Sequence, residues 1–110
     1  MGISTHILDT SRGLPARNVG VSLDTQEGPD WKSIAKGTTD DDGRVKPLIE
    51  SIPSPGTYRI RFDVGPYFES QGFDCFYEQV SVEFVVKSES EHYHVPLLIN
   101  PFGYTTYRGS

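Results

Sequence analysis

Apolar and polar positions alternate in short runs along the chain, each closed by Gly, Pro, Asn or Asp. Side chains two apart in a strand share a face, so a run of this kind buries one side and wets the other. Gly56 to Val64 alternates most cleanly: Tyr58, Ile60, Phe62 and Val64 face inward, and Arg59, Arg61 and Asp63 face water. Ile3 to Leu8 predicts a first strand, Ser11 to Pro15 a turn, and Val19 to Asp24 a second strand with Val19, Val21 and Leu23 on one face. A polar loop over Gln26 to Asp30 then leads to a third strand, Trp31 to Gly37. Asp42-Gly43 signals a hairpin, because glycine takes positive φ without steric cost, and a short edge strand follows from Arg44. Val80 to Val86, His92 to Ile99 and a last strand beyond an Asn100-Pro101 turn complete the set.

One segment breaks the two-residue period. Pro66 to Gly72 places proline at a first helical position and glycine just past the end, which predicts a single short helix. The pattern is therefore all-β, a sandwich or barrel, and its 110 residues fit one domain, 1–110, of ordinary size.

Charge narrows the partners. Fifteen acidic and ten basic residues give a formal net charge of −5 with no clustered basic face, so nucleic acid is not the expected partner. No apolar run approaches the roughly 20 residues that span a bilayer, and no signal-peptide succession opens the chain. The expectation is no membrane partner and a cytoplasmic location. The ending Arg-Gly-Ser is not the Ser-Lys-Leu peroxisomal address, although that compartment is not excluded. A lone cysteine, Cys75 between aromatics, reads as a small buried thiol.

Candidate chemistry gathers at the two ends. His6 and Leu8 share a face of the first strand; His92, His94, Pro96 and Leu98 share one on the penultimate strand; Thr105 and Tyr107 share one on the last. Neighbouring strands would merge these faces into a surface of imidazoles, hydroxyls and apolar groups, which is a binding-site composition. His-x-His with His6 could also be read as a metal site, but no carboxylate has the spacing to orient the imidazoles, so no metal is expected. Asp40-Asp41-Asp42-Gly43 fails as a calcium loop on register and reads as a solvated turn. Arg44, after the hairpin glycine, is either a solvent-facing arginine or a fixed cation for a carbonyl-bearing ligand.

Together, Ser4-Thr-His-Ile-Leu-Asp9, Arg12-Gly-Leu-Pro-Ala16, Asp42-Gly-Arg44, His92-Tyr-His-Val-Pro-Leu-Leu98 and Tyr107-Arg-Gly-Ser110 resemble the transthyretin-related 5-hydroxyisourate hydrolases over essentially the whole chain. The resemblance implies an eight-stranded transthyretin-like (immunoglobulin-like) β-sandwich with one short helix. It also implies a homotetramer, a dimer of dimers with the sites in a channel between them. The implied reaction opens the ring of 5-hydroxyisourate to 2-oxo-4-hydroxy-4-carboxy-5-ureidoimidazoline in urate catabolism, without metal or cofactor. Its catalytic positions fall on His6, Arg44 and His94, joined by Tyr107, Arg108, Gly109 and Ser110. With that frame, Leu8, Pro96, Leu98, Thr105 and Tyr107 are expected around the substrate, His6 as base with His94 as its partner, Ser110 as an orienting group and Arg108 as a brace. His92 has the same parity as His94, and only the motif chooses between them. The rivals are a non-enzymatic carrier with the same channel, a metal-dependent binding protein and a plain immunoglobulin-like interaction module.

Overall fold

Two sheets face each other across an apolar core in the computed structural model of the chain, which describes residues 2–49, 53–88 and 91–109. In chain order the elements are β1 (Ile3–Asp9), β2 (Leu14–Pro15), β3 (Gly20–Glu27), β4 (Asp30–Thr38), β5 (Arg44–Ile49), β6 (Gly56–Phe62), α1 (Val64–Glu69), β7 (Val80–Val86), β8 (Tyr93–Asn100) and β9 (Gly103–Thr106). One sheet runs β2-β1-β8-β9 with β5 also paired to β1; the other runs β4-β3-β6-β7. Eight strands of four or more residues thus build the expected sandwich, and β2 adds a two-residue edge where the turn after β1 folds back.

Inward parity decides the core. Ile3 and Ile7 of β1 and Val95, Leu97 and Ile99 of β8 meet Val21 and Leu23 of β3 and Ile60 and Phe62 of β6, all buried. Two polar side chains also point inward from β1 and both find partners, since a buried polar group without one is costly. The Thr5 hydroxyl donates to the Val95 carbonyl at 2.6 Å, and Asp9 accepts from the Tyr67 hydroxyl at 2.7 Å and from Ser11 Oγ at 2.6 Å. Burial, then the bond to Asp9, raises the Tyr67 phenol above its ordinary value.

Local predictions fail where two elements run closer than their sequence signals suggest. The polar stretch 26–30 is not a loop: Glu27 pairs with Asp30, and Gly28 at φ 62 with Pro29 closes a two-residue hairpin. Gly-Pro suits that turn because glycine supplies the positive φ and proline the fixed negative one. The helix begins at Val64, two residues before Pro66, whose missing N–H costs nothing anywhere in the first turn. Arg59 and Arg61 do not simply face water. Asp24, 1% exposed, lies between them, accepting from Arg59 Nε at 2.8 Å and from Arg61 Nε at 2.7 Å, and the Arg59 guanidinium stacks 4.4 Å from the Trp31 ring. The pairing of β3 with β4 shifts after Leu23, where β4 carries the extra residue Ile34, while Asp24 keeps the outward parity it shares with its β6 partner Arg59.

Candidate active site

The outward parity of β1 presents Ser4, His6 and Leu8, each half-buried, on the face of the first sheet turned away from the core. β8 runs parallel beside it, so its outward residues fall in step: Ser4 opposite His94, His6 opposite Pro96 and Leu8 opposite Leu98. On the other flank, β5 sets Arg44 opposite His6. β9 sets Thr105 opposite Leu98, and the same register carried past the strand returns Gly109 opposite His94 and puts Tyr107 level with Pro96. His6, Leu8, Arg44, His94, Pro96, Leu98, Thr105 and Tyr107 therefore share one face drawn from four strands. Ser110 lies outside the described residues.

Arg44 owes its place to the turn before it. Asp40 Oδ1 accepts from the backbone N–H of Asp42 at 2.9 Å and of Arg44 at 3.0 Å, so the acidic run holds a turn. Gly43, at φ 76, sends its carbonyl to the Ile7 N–H at 2.8 Å and locks that turn onto β1. Arg44 is exposed, and no ion pair among the described residues engages its guanidinium.

The imidazoles are held in different ways. His6 Nε2 lies 2.9 Å from the Asp42 carbonyl; a carbonyl only accepts, so Nε2 carries the hydrogen and Nδ1 keeps the lone pair in the neutral ring. His94 Nδ1 lies 2.8 Å from Ser4 Oγ, and His92 Nε2 lies 2.8 Å from the same oxygen. Burial, followed by the electrostatic influence of Arg44 and then of His6 and His92, lowers the pKa of His94, against a smaller opposing effect of the Ser4 backbone. Low affinity for a proton keeps His94 neutral near pH 7.

Gly109 seals His94 from the far side. Its N–H donates to the His94 carbonyl at 2.8 Å, and a Cβ there would fall 2.6 Å from His94 Cδ2 and 3.1 Å from Pro96 Cγ. Arg108 turns away, its guanidinium 4.7 Å from the Tyr93 ring and 3.4 Å from Glu91 Oε1, while Tyr107 is 57% exposed.

No group of three or more His, Cys, Asp or Glu side chains among the described residues is arranged to hold a metal ion; two of the three imidazoles meet at the Ser4 hydroxyl instead. A cavity of about 250 Å³ opens nearby between β7 and β9, lined by Phe84, Tyr93, Thr106 and Arg108. It reaches His94 and Tyr107 from the sheet edge and includes neither His6 nor Arg44. On the face that gathers the histidines, Arg44, Thr105 and Tyr107 are exposed and His6 and His94 half-buried. Sequence reasoning missed Ser4, although parity with His6 already placed its hydroxyl on this face.

Residues 3–109 match the model of the HIUase/Transthyretin family. A 5-hydroxyisourate hydrolase of Salmonella dublin is 47% identical over 109 residues, covering 98% of this chain and 80% of that protein. Among solved structures, the 5-hydroxyisourate hydrolase of Klebsiella pneumoniae superposes with a TM-score of 0.88 at 35% identity, covering all of both chains. Sea bream transthyretin in complex with thyroxine superposes with a TM-score of 0.94 at 35% identity, covering 99% of this chain and 95% of that one.

Proposed function

Because the chain belongs to the HIUase/transthyretin family, we propose that it is a hydrolase of that family, opening the ring of 5-hydroxyisourate in urate degradation on the outer face of its first sheet. The product is 2-oxo-4-hydroxy-4-carboxy-5-ureidoimidazoline. One observation carries the choice of hydrolase over carrier: His6 and Arg44 stand opposite each other in register, and both bear electrostatically on His94. A passive channel has no use for paired imidazoles beside a guanidinium that no ion pair among the described residues engages.

Ring opening needs a base for water, positive charge where the oxyanion forms and a proton for the leaving nitrogen. His6 is the base, through the Nδ1 lone pair that its Nε2 bond to Asp42 leaves available. It takes a proton from water as the water oxygen bonds to the ring carbonyl carbon and the carbonyl electrons move onto oxygen. Arg44 holds that developing charge. The C–N bond then breaks, and the His6 imidazolium returns its proton to the leaving nitrogen. His94 is the partner that positions water and substrate. Tyr107 packs against the flat ring, with Leu8, Pro96, Leu98 and Thr105 as walls, and Ser110 orients a histidine. No metal or cofactor enters these steps.

A second copy covers this face and closes the site, in a homotetramer built as a dimer of dimers. Supporting this are the exposure of Arg44 and Tyr107 and the need to exclude water from charge-stabilised chemistry. The carrier reading draws on the likeness to a thyroxine-bound transthyretin, and fold alone does not fix function.

Ultraviolet decay of freshly generated 5-hydroxyisourate separates the two. The protein accelerates decay above the spontaneous rate, and His6→Ala loses roughly 10²-fold or more of that acceleration. Decay at the spontaneous rate would favour the carrier, and full turnover by His6→Ala would remove His6 as base.

A further inference from the structure

We propose that His92 and Ser4 form a hydrogen-bond relay that fixes the tautomer of His94, so that His94 meets the substrate as a neutral Nε2–H donor. The inference rests on the reading of this face as a hydrolase site, and deepens it by naming two positioning residues and the state of the group they act on.

The relay starts from a donor whose direction is not in question. The backbone N–H of Gly2 donates to His92 Nδ1 at 3.1 Å, and the Gly2 carbonyl accepts from the Tyr93 N–H at 2.9 Å, which ties the start of β1 to the start of β8. A backbone amide can only donate, so His92 Nδ1 is the acceptor and, in the neutral ring, Nε2 carries the hydrogen. That hydrogen points to Ser4 Oγ, 2.8 Å away. A serine hydroxyl has one hydrogen; with His92 as its donor, that hydrogen goes to its other partner, His94 Nδ1, also at 2.8 Å. His94 Nδ1 is then the acceptor, and the ring hydrogen sits on Nε2. The opposite tautomer would aim two N–H groups at one oxygen and leave the hydroxyl hydrogen with neither imidazole as its acceptor.

The surroundings hold the same state. His94 is half-buried, faces Arg44 from β5, His6 from β1 and His92 from its own strand entry, and is driven toward the neutral form. The two catalytic histidines thereby differ in kind. His6 gives its Nε2–H to the Asp42 carbonyl and keeps a basic Nδ1; His94 receives at Nδ1 and keeps a donating Nε2–H. One imidazole is set to take the proton of water, while the other is set to hydrogen-bond the substrate oxygen without surrendering a proton. His92, equal to His94 in strand parity, acts through Ser4 and not on substrate.

Nitrogen-15 NMR of the histidine rings in the full chain, above the His94 pKa, reads the tautomer directly and independently of turnover. The wild type should show His94 protonated at Nε2 and bare at Nδ1. Ser4→Ala and His92→Phe should each yield a mixture of tautomers and lower kcat about tenfold with little change in KM, the effect expected for one misplaced hydrogen bond. Ser4→Thr, which keeps the hydroxyl, should restore both readings, and unchanged thermal unfolding shows that the variants remain folded. An Nδ1-protonated His94 in the wild type, or an unaltered tautomer and kcat in Ser4→Ala, overturns the relay. Full turnover by His94→Ala instead overturns the hydrolytic role of His94, whatever its tautomer.

Discussion

Gly109 lies against the ring of His94 so closely that the glycine hydrogen occupies the only space available: a Cβ would sit 2.6 Å from His94 Cδ2. The same residue donates its N–H to the His94 carbonyl at 2.8 Å, so the segment after β9 is stitched to the strand whose histidine it covers. Glycine at position 109 is thus required by the close approach of its backbone to the His94 ring.

Gly109→Ala should accordingly displace His94 and leave the sandwich intact. The expected outcome is a loss of kcat/KM of roughly 10²-fold, as for a catalytic group shifted by about 1 Å, with Tm moved by only a few degrees. Ultraviolet decay kinetics beside thermal unfolding test this. A loss of stability matching the loss of activity would mean that Gly109 serves the fold and not the site.

Titration of His94 makes stability depend on pH on the acid side. Its folded pKa lies below the ordinary 6.5 because burial, followed by Arg44, His6 and His92, disfavours the imidazolium. Between that folded value and 6.5 the unfolded chain binds more protons at this position, so stability rises with pH there. The contribution of His94 is complete above 6.5 and disappears as pH falls through the folded pKa. Arg44→Gln removes one of the positive neighbours and should raise the His94 midpoint in an NMR titration. A midpoint that stays in place would show that Arg44 does not act on His94.

The sandwich and the shared face were legible because both follow from a two-residue period. Tyr58, Ile60 and Phe62 are buried as alternation requires, and His6, Leu8, His94 and Leu98 all lie outward. Two kinds of information were not in that period. Which strands are neighbours decides whether outward faces merge, and the parallel pairing of β1 with β8, ninety residues away in sequence, is a tertiary choice that no local run encodes. Partner identity is the second: Ser4 and Asp24 look like ordinary surface residues until His94 of β8 and His92 just before it bring two imidazoles to one and β6 brings two guanidinium groups to the other.

Asp24 supplies a test confined to the second sheet. Burial alone would push its carboxyl up, but hydrogen bonds and charge from Arg61 and Arg59 outweigh that and hold it below the ordinary 3.8. The carboxylate therefore stabilises the fold fully above about pH 3.8, and that contribution is lost as pH falls through the lower folded value. Asp24→Asn breaks a buried pair from one side, at an expected cost of about 3 kcal/mol near neutral pH. Denaturant unfolding should detect it, together with a shallower acid limb in the mutant. A cost below about 0.5 kcal/mol would mark the cluster as no better than an exposed ion pair.

Gly43 joins the fold to the site at a single residue. Its φ of 76 is a conformation that residues with a Cβ adopt only with strain, and a Cβ there would run into the Ile7 carbonyl oxygen and lie 3.1 Å from Pro15 Cβ. Its own carbonyl is bonded to the Ile7 N–H, and the next residue is Arg44, opposite His6. Gly43→Ala should therefore act twice. Backbone strain of roughly 1–3 kcal/mol lowers stability, and the turn is pushed off β1, which moves both Arg44 and the Asp42 carbonyl that accepts from His6 Nε2. Activity should fall well beyond what the unfolded fraction explains, by about tenfold or more for each misplaced partner. Kinetics well below the unfolding temperature separate the two effects: a variant that is less stable yet fully active when folded would show that the turn supports β1 without setting the geometry of His6 and Arg44.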